Sequence, residues 1–151
     1  AQQAKKHGFD QVLWLDADEH KYVEEVGTMN IFFVIDGVLV TPNLRGTILP
    51  GVTRDSIIKL AKQWDMPVEE RRISIKEVMQ AGKDGKLDEV FGAGTAAVVS
   101  PVEEVHHDGQ SVTFDIDGRG PVGEKFYDAI TAIQYGQAED PFGWVTSIEV
   151  G

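Results

Sequence analysis

A chain of 151 residues with 14 Lys and Arg against 25 Asp and Glu, a formal charge of −11 and no cysteine has the length of one domain, enough to bury roughly two thirds of the surface its unfolded form exposes. The acidic balance argues against a nucleic-acid surface, which needs clustered Lys and Arg, and the absence of cysteine removes disulfides, thiolate nucleophiles and Cys-based zinc sites together. Apolar runs such as Ile31–Ile35 fall far short of a membrane span and no signal-like hydrophobic segment opens the chain, so no membrane partner and a cytoplasmic address are expected.

Ala1 to Gly8 reads as the back half of a helix stopped by glycine, with Lys5 and Lys6 in its last turn, so the amino end looks cut. Gln11 to Leu15 is a short apolar strand ending at the acidic turn Asp16 to His20. Tyr22 to Val26 and Met29 to Ile35 are extended segments separated by Gly27, and Asp36-Gly37 signals a tight hairpin into Val38 to Thr41. Leu49-Pro50-Gly51-Val52-Thr53-Arg54-Asp55-Ser56 is a Pro-Gly corner opening a helix, whose apolar positions Ile57, Ile58, Leu60, Ala61 and Trp64 share one stripe that ends near Pro67.

Val68 to Ile73 reads as a strand, and Ser74-Ile75-Lys76-Glu77 as a capping box starting a short helix that stops near Gly82. Glu89 to Phe91 and Ala96 to Ser100 are expected to be buried strands on either side of a glycine turn, Phe91-Gly92-Ala93-Gly94-Thr95-Ala96. Val102 to Val105 and Ser111 to Ile116 form a second hairpin about Asp108-Gly109. Pro121 opens a last helix with Val122, Phe126, Ala129, Ile130 and Ile133 on its inner face and Gly136 at its end. Helices alternating with strands imply an α/β or α+β domain.

Two of these segments suit an anion. A helix start has unpaired N–H groups and the positive end of the macrodipole, and the glycine turn lets backbone approach a ligand closely while Thr95 offers a hydroxyl. The histidines do not suggest a metal, because His106 and His107 are adjacent on a strand and point to opposite faces. Arg71-Arg72 belongs at a sheet edge, and Trp14, Trp64 and Trp144 are expected in the core. Glu24-Glu25, next to a glycine-interrupted strand in an apolar region, is either a surface feature or a carboxylate that calls for a cationic partner or a proton.

Three ordered blocks, Glu25-Val26-Gly27-Thr28-Met29-Asn30-Ile31-Phe32, Leu49 to Ser56, and Glu89 to Ala97 with Pro101, resemble the branched-chain aminotransferases, pyridoxal-phosphate enzymes of fold type IV. The resemblance implies the family's large domain, a mixed sheet or pseudo-barrel flanked by helices, over residues 1–151 as a single unit. It implies that Glu25 pairs with the pyridinium nitrogen, that Val52, Thr53 and Thr95 bind the cofactor phosphate, that Gly94 and Thr28 lie at the pocket, and that Ala96 meets the substrate carboxylate. Pyridoxal 5′-phosphate is the implied cofactor, branched-chain amino acids and 2-oxoglutarate the implied substrates, and a homodimer the implied assembly.

In the family the Schiff-base lysine precedes the helix with which this chain opens, and none of the nine lysines (Lys5, Lys6, Lys21, Lys59, Lys62, Lys76, Lys83, Lys86, Lys125) stands in such a context. The expectation is therefore a carboxy-terminal fragment without a catalytic lysine, lacking the amino-terminal small domain and inactive alone. A D-amino-acid transaminase or aminodeoxychorismate lyase is the neighbouring alternative in the same fold. A non-catalytic domain binding a phosphate ligand or a protein is the alternative outside it.

Overall fold

β3 (Met29–Ile35) is the strand on which the other elements are hung. Its residues alternate between two buried faces, which is why it reads as an unbroken apolar run rather than as an in-out pattern. Ile31 and Phe33 join Val23, Val26, Val40, Ile73, Val78 and Val90 in one apolar cluster. Phe32 and Val34 join Leu39, Ile57, Leu60, Phe91, Phe126 and Ile130 in the other. In this computed structural model residues 11–45, 48–114 and 120–145 are described. The expected opening helix, His7, and Ile116 at the end of the second hairpin lie outside them.

The sheet has seven strands. β1 (Leu13–Leu15) pairs antiparallel with β2 (Val23–Val26), and β2 with the start of β3 through Glu25–Asn30 and Val26–Met29. Asp36 and Gly37, with φ of 52° and 79°, turn β3 into β4 (Val38–Thr41), the tight hairpin expected of that dipeptide. β4 then crosses through α1 (Val52–Gln63) to β5 (Val68–Glu70), which pairs with it in parallel, as a helical crossover permits. β5 is shorter than the Val68–Ile73 expected, because the chain changes partners: Ile73 C=O accepts from Val23 N–H and Ser74 bridges Tyr22.

α2 (Ile75–Lys83) packs on the first face, and α1 with α3 (Pro121–Gln134) on the second. Ser74 caps α2 by accepting from Glu77 N–H at 3.1 Å. The reciprocal half of the capping box does not form, since the Glu77 carboxylate is gripped by both Arg71 Nη atoms at 2.7 and 2.9 Å.

β6 (Leu87–Gly94) runs along the free edge of β3 and pairs with β7 (Val98–Pro101). Gly92 and Gly94 are thus strand residues, and the turn falls at Thr95–Ala97. Their glycines serve close packing instead: a methyl on Gly92 would lie 2.9 Å from Met29 Cε. The hairpin of β8 (Glu104–His107) and β9 (Gln110–Thr113) stands apart as a two-stranded sheet. Trp14 is not in the core: it is 48% exposed, its indole donating to Gly27 C=O. The architecture is the expected mixed α/β sheet with flanking helices, and among the described strands its edges do not join into a barrel.

Candidate functional site

The site is assembled around the peptide groups of Leu49. On the β2–β3 hairpin, Glu25 and Asn30 are cross-strand partners, so their side chains reach the same side of the pair. Glu25 Oε1 accepts from Leu49 N–H at 2.8 Å, and Asn30 Nδ2 donates to Leu49 C=O at 2.8 Å. Two side chains from one hairpin therefore hold one residue of the approaching loop. This leaves the second oxygen of the Glu25 carboxylate outside that bond.

Pro50 and Gly51 then turn the chain into α1. Gly51 is the N-cap, extended at φ −66° and ψ 142°, and no side chain caps the helix. A side chain there would collide with Asn30 Oδ1. The corner thus presents bare backbone, with the first N–H groups of α1 at the positive end of its dipole.

Val52 is the first helical residue and is 81% exposed, although it is apolar. The Thr53 hydroxyl points to the end of β6, with Oγ1 3.4 Å from Gly94 C=O. The start of α1 and the end of β6 therefore meet, although they are far apart in sequence. Beyond Gly94 the exposed turn Thr95–Ala97 leads to Val98, whose φ of 60° is a left-handed conformation costing a β-branched residue about 1–2 kcal/mol.

Glu25, Val52, Thr53, Gly94, Thr95 and Ala96 are thus gathered at one end of the sheet. Thr28 sits in the exposed β2–β3 turn, and no hydrogen bond among the described residues joins its side chain to the others. An uncapped helix start beside a threonine hydroxyl is chemistry that suits an anion, and a carboxylate is chemistry that suits a basic nitrogen.

Residues 1–105 match the family described as amino-transferase class IV. The chain belongs to the class IV aminotransferases. Branched-chain-amino-acid aminotransferase 2 of Bacillus subtilis is 53% identical over 147 residues, which is 97% of this chain and 40% of that protein. The branched-chain amino acid aminotransferase of Escherichia coli superposes with a TM-score of 0.75 at 38% identity, covering 95% of this chain and 44% of that one. The Thermobaculum terrenum enzyme, solved in its PLP form, superposes at 0.76 with 28% identity, covering 91% and 41%. The chain spans about 40% of the length of the curated relatives it matches.

Two residues at the site were not singled out from the sequence. Asn30 is a buried amide inside the apolar run of β3, and a polar residue in such a run is itself the signal. Arg54 is 4% exposed on α1, and its spacing from Ile57, Ile58 and Ala61 places it on the inner stripe. A charged residue in the first turn of a helix ordinarily faces solvent, so the sequence signal is this spacing alone.

Proposed function

We propose that this chain is the cofactor-holding part of a pyridoxal-phosphate-dependent transaminase that moves an amino group between branched-chain amino acids and 2-oxoglutarate. In this reading residues 1–151 form the carboxy-terminal domain of an enzyme that works as a homodimer. The observation that carries the reading is the meeting of the uncapped α1 start with Gly94, through Thr53, beside a carboxylate already oriented by Leu49.

The residues divide the work. The N–H groups of Val52 and Thr53 and the hydroxyl of Thr95 bind phosphate, and the Thr53 hydroxyl turns from Gly94 C=O to the anion to join them; each charge-assisted hydrogen bond of this kind contributes about 1.5–3 kcal/mol. Glu25 keeps a proton on the ring nitrogen, and Leu49 N–H fixes the direction from which the carboxylate does so. Gly94 allows backbone to approach the ring, Ala96 offers its N–H to a substrate carboxylate, and Thr28 lies at the rim. When bound, the cofactor supplies an electron sink for the substrate carbon that loses its proton. Exposed apolar Trp14, Leu49 and Val52 border this end of the sheet and suit a surface covered in the working enzyme.

Amide shift mapping with pyridoxal phosphate and with inorganic phosphate tests the reading. Both ligands are expected to move the Val52, Thr53, Thr95 and Ala96 signals, and only the first to move Trp14 and the β2–β3 hairpin. Shifts confined to other parts of the domain would refute it.

A further inference from the structure

Arg54 is a buried charge where an apolar side chain would pack more cheaply. It stands on the inner stripe of α1 beside Ile57 and Ile58, and a guanidinium there is unfavourable unless its hydrogen bonds are made. They are only partly made. One nitrogen, Nη2, carries both contacts, to Pro42 C=O at 3.0 Å and to Glu70 Oε1 at 3.0 Å. Nε, also buried, has no acceptor among the described residues. Glu70 itself is 39% exposed at its side chain, so the pair is only half shielded from water.

The two contacts have a common geometry. Pro42 follows the last residue of β4, and Glu70 is the last residue of β5; Thr41 and Glu70 are partners in the parallel ladder. Arg54 is the third residue of α1. Its Nη2 therefore ties the first turn of the helix to the ends of two neighbouring strands, on the side away from Gly94. Asn30, through Leu49, holds the incoming chain from the other direction. The two residues before Arg54 are Val52 and Thr53, which open the helix with no side-chain cap to fix them, and the Thr53 hydroxyl stands 3.4 Å from Gly94 C=O.

We propose that Arg54 is a positioning residue for phosphate recognition: it sets the place of the first turn of α1, and with it the aim of the Val52 and Thr53 donors, without touching the ligand. The inference rests on the phosphate site proposed above. Loss of the Arg54 contacts leaves the first turn held from the Leu49 side only, with the apolar stripe packing α1 but not fixing its first turn against the ends of β4 and β5.

The experiment measures calorimetric dissociation constants of pyridoxine 5′-phosphate and of pyridoxine, neither of which has an aldehyde to react with lysine. The polypeptides are the wild-type chain, Arg54→Met and Arg54→Lys. Methionine is chosen because replacing a buried charge by an apolar group is frequently neutral for folding. Arg54→Met is expected to weaken the phosphorylated ligand about tenfold, as losing one charge-assisted bond would, with pyridoxine changed less than about twofold. Arg54→Lys is expected to recover part of that loss, since it keeps the charge but its ammonium sits on a stem one bond shorter than Nη2 and falls short of the point where both acceptors converge.

A folded Arg54→Met chain that binds the phosphorylated ligand as the wild type does overturns the proposal, and so does equal weakening of both ligands. Should Arg54→Met fail to fold, Arg54→Lys decides: selective weakening supports the role, and unchanged affinity overturns it. If the wild-type chain itself does not prefer the phosphorylated ligand, the phosphate site at α1 falls and Arg54 with it. If it does prefer it and Arg54 is indifferent, only the positioning role falls.

Discussion

Replacing Glu89 by glutamine tests how α3 is held to the sheet. Glu89 is 4% exposed on β6, with no basic residue bonded to it among the described residues, yet it has a partner in α3: Oε2 accepts from Val122 N–H at 2.8 Å and Oε1 from Gly123 N–H at 3.0 Å. The helix has no cap from its own sequence, because its N-cap is Gly120, so a strand carboxylate does the capping from across the core. Gly120 has to be glycine for this to happen, since a Cβ there would occupy the space of the Glu89 carboxylate. A glutamine keeps one acceptor and turns an NH₂ toward the other donor, which removes about one charge-assisted hydrogen bond at ~1.5–3 kcal/mol. It also removes an interaction with the helix dipole of about 0.3–1 kcal/mol. At ~2–4 °C per kcal/mol for a domain of this size, the melting temperature should fall by roughly 5–10 °C. Thermal melting and urea titration by circular dichroism read the change, with a lower midpoint and an unchanged m-value expected. A melting temperature within about 1 °C of wild type would refute the idea that this contact holds α3.

Acid stability should depend on Asp16, whose carboxylate accepts N–H bonds from Tyr22, Lys21 and Glu19 that hold its pKa at about 2, below the ordinary 3.8. A folded pKa below the unfolded one means the contribution is complete above about pH 4 and is lost as pH falls toward 2. Asp16→Asn should flatten that limb of the stability–pH curve, and an unchanged limb would count against it. The 151-residue polypeptide is expected not to turn over leucine with 2-oxoglutarate above the rate of free pyridoxal phosphate. Its described lysines are engaged or solvent-facing: Lys59 pairs with Asp55, Lys21 and Lys125 lie over aromatic rings, and Lys62, Lys76, Lys83 and Lys86 are exposed. Borohydride trapping should therefore scatter over side chains such as Lys83 and Lys86, and stoichiometric labelling of one lysine with turnover would contradict this.

Elements with a local cause could be read from the chain. Asp36-Gly37 requires two left-handed residues and finds them in a tight hairpin, and Ser74 caps α2 because the segment after it begins a helix. Elements decided by distant partners could not. Gly92 and Gly94 look like a turn in isolation, but β6 continues through both, paired with β3 as far as Ala93 and with β7 at Gly92 and Gly94, and their missing side chains make room for Met29. Val68 to Ile73 looks like one strand, but Ile73 belongs to β2 and not to β4. Trp14 carries no local sign that its indole will lie over the outside of the β1–β2 ribbon with its N–H on Gly27.

The candidate site follows the same division. A bare helix start and a turn with a hydroxyl are local features, and Val52, Thr53 and Thr95 could be picked out from them, whereas the contact between Thr53 and Gly94 depends on β6 lying beside β3 and α1 crossing behind it. The chain's charge makes that contact more telling. A formal charge of −11 repels anions at long range, but physiological salt screens such fields within about 8 Å. What an anion would meet at the proposed site is then set locally, by the N–H groups at the start of α1. The helix dipole acts there without need of a basic surface. An acidic protein can hold a phosphate in this way, provided the first turn of α1 stays where Pro42, Glu70 and Leu49 hold it.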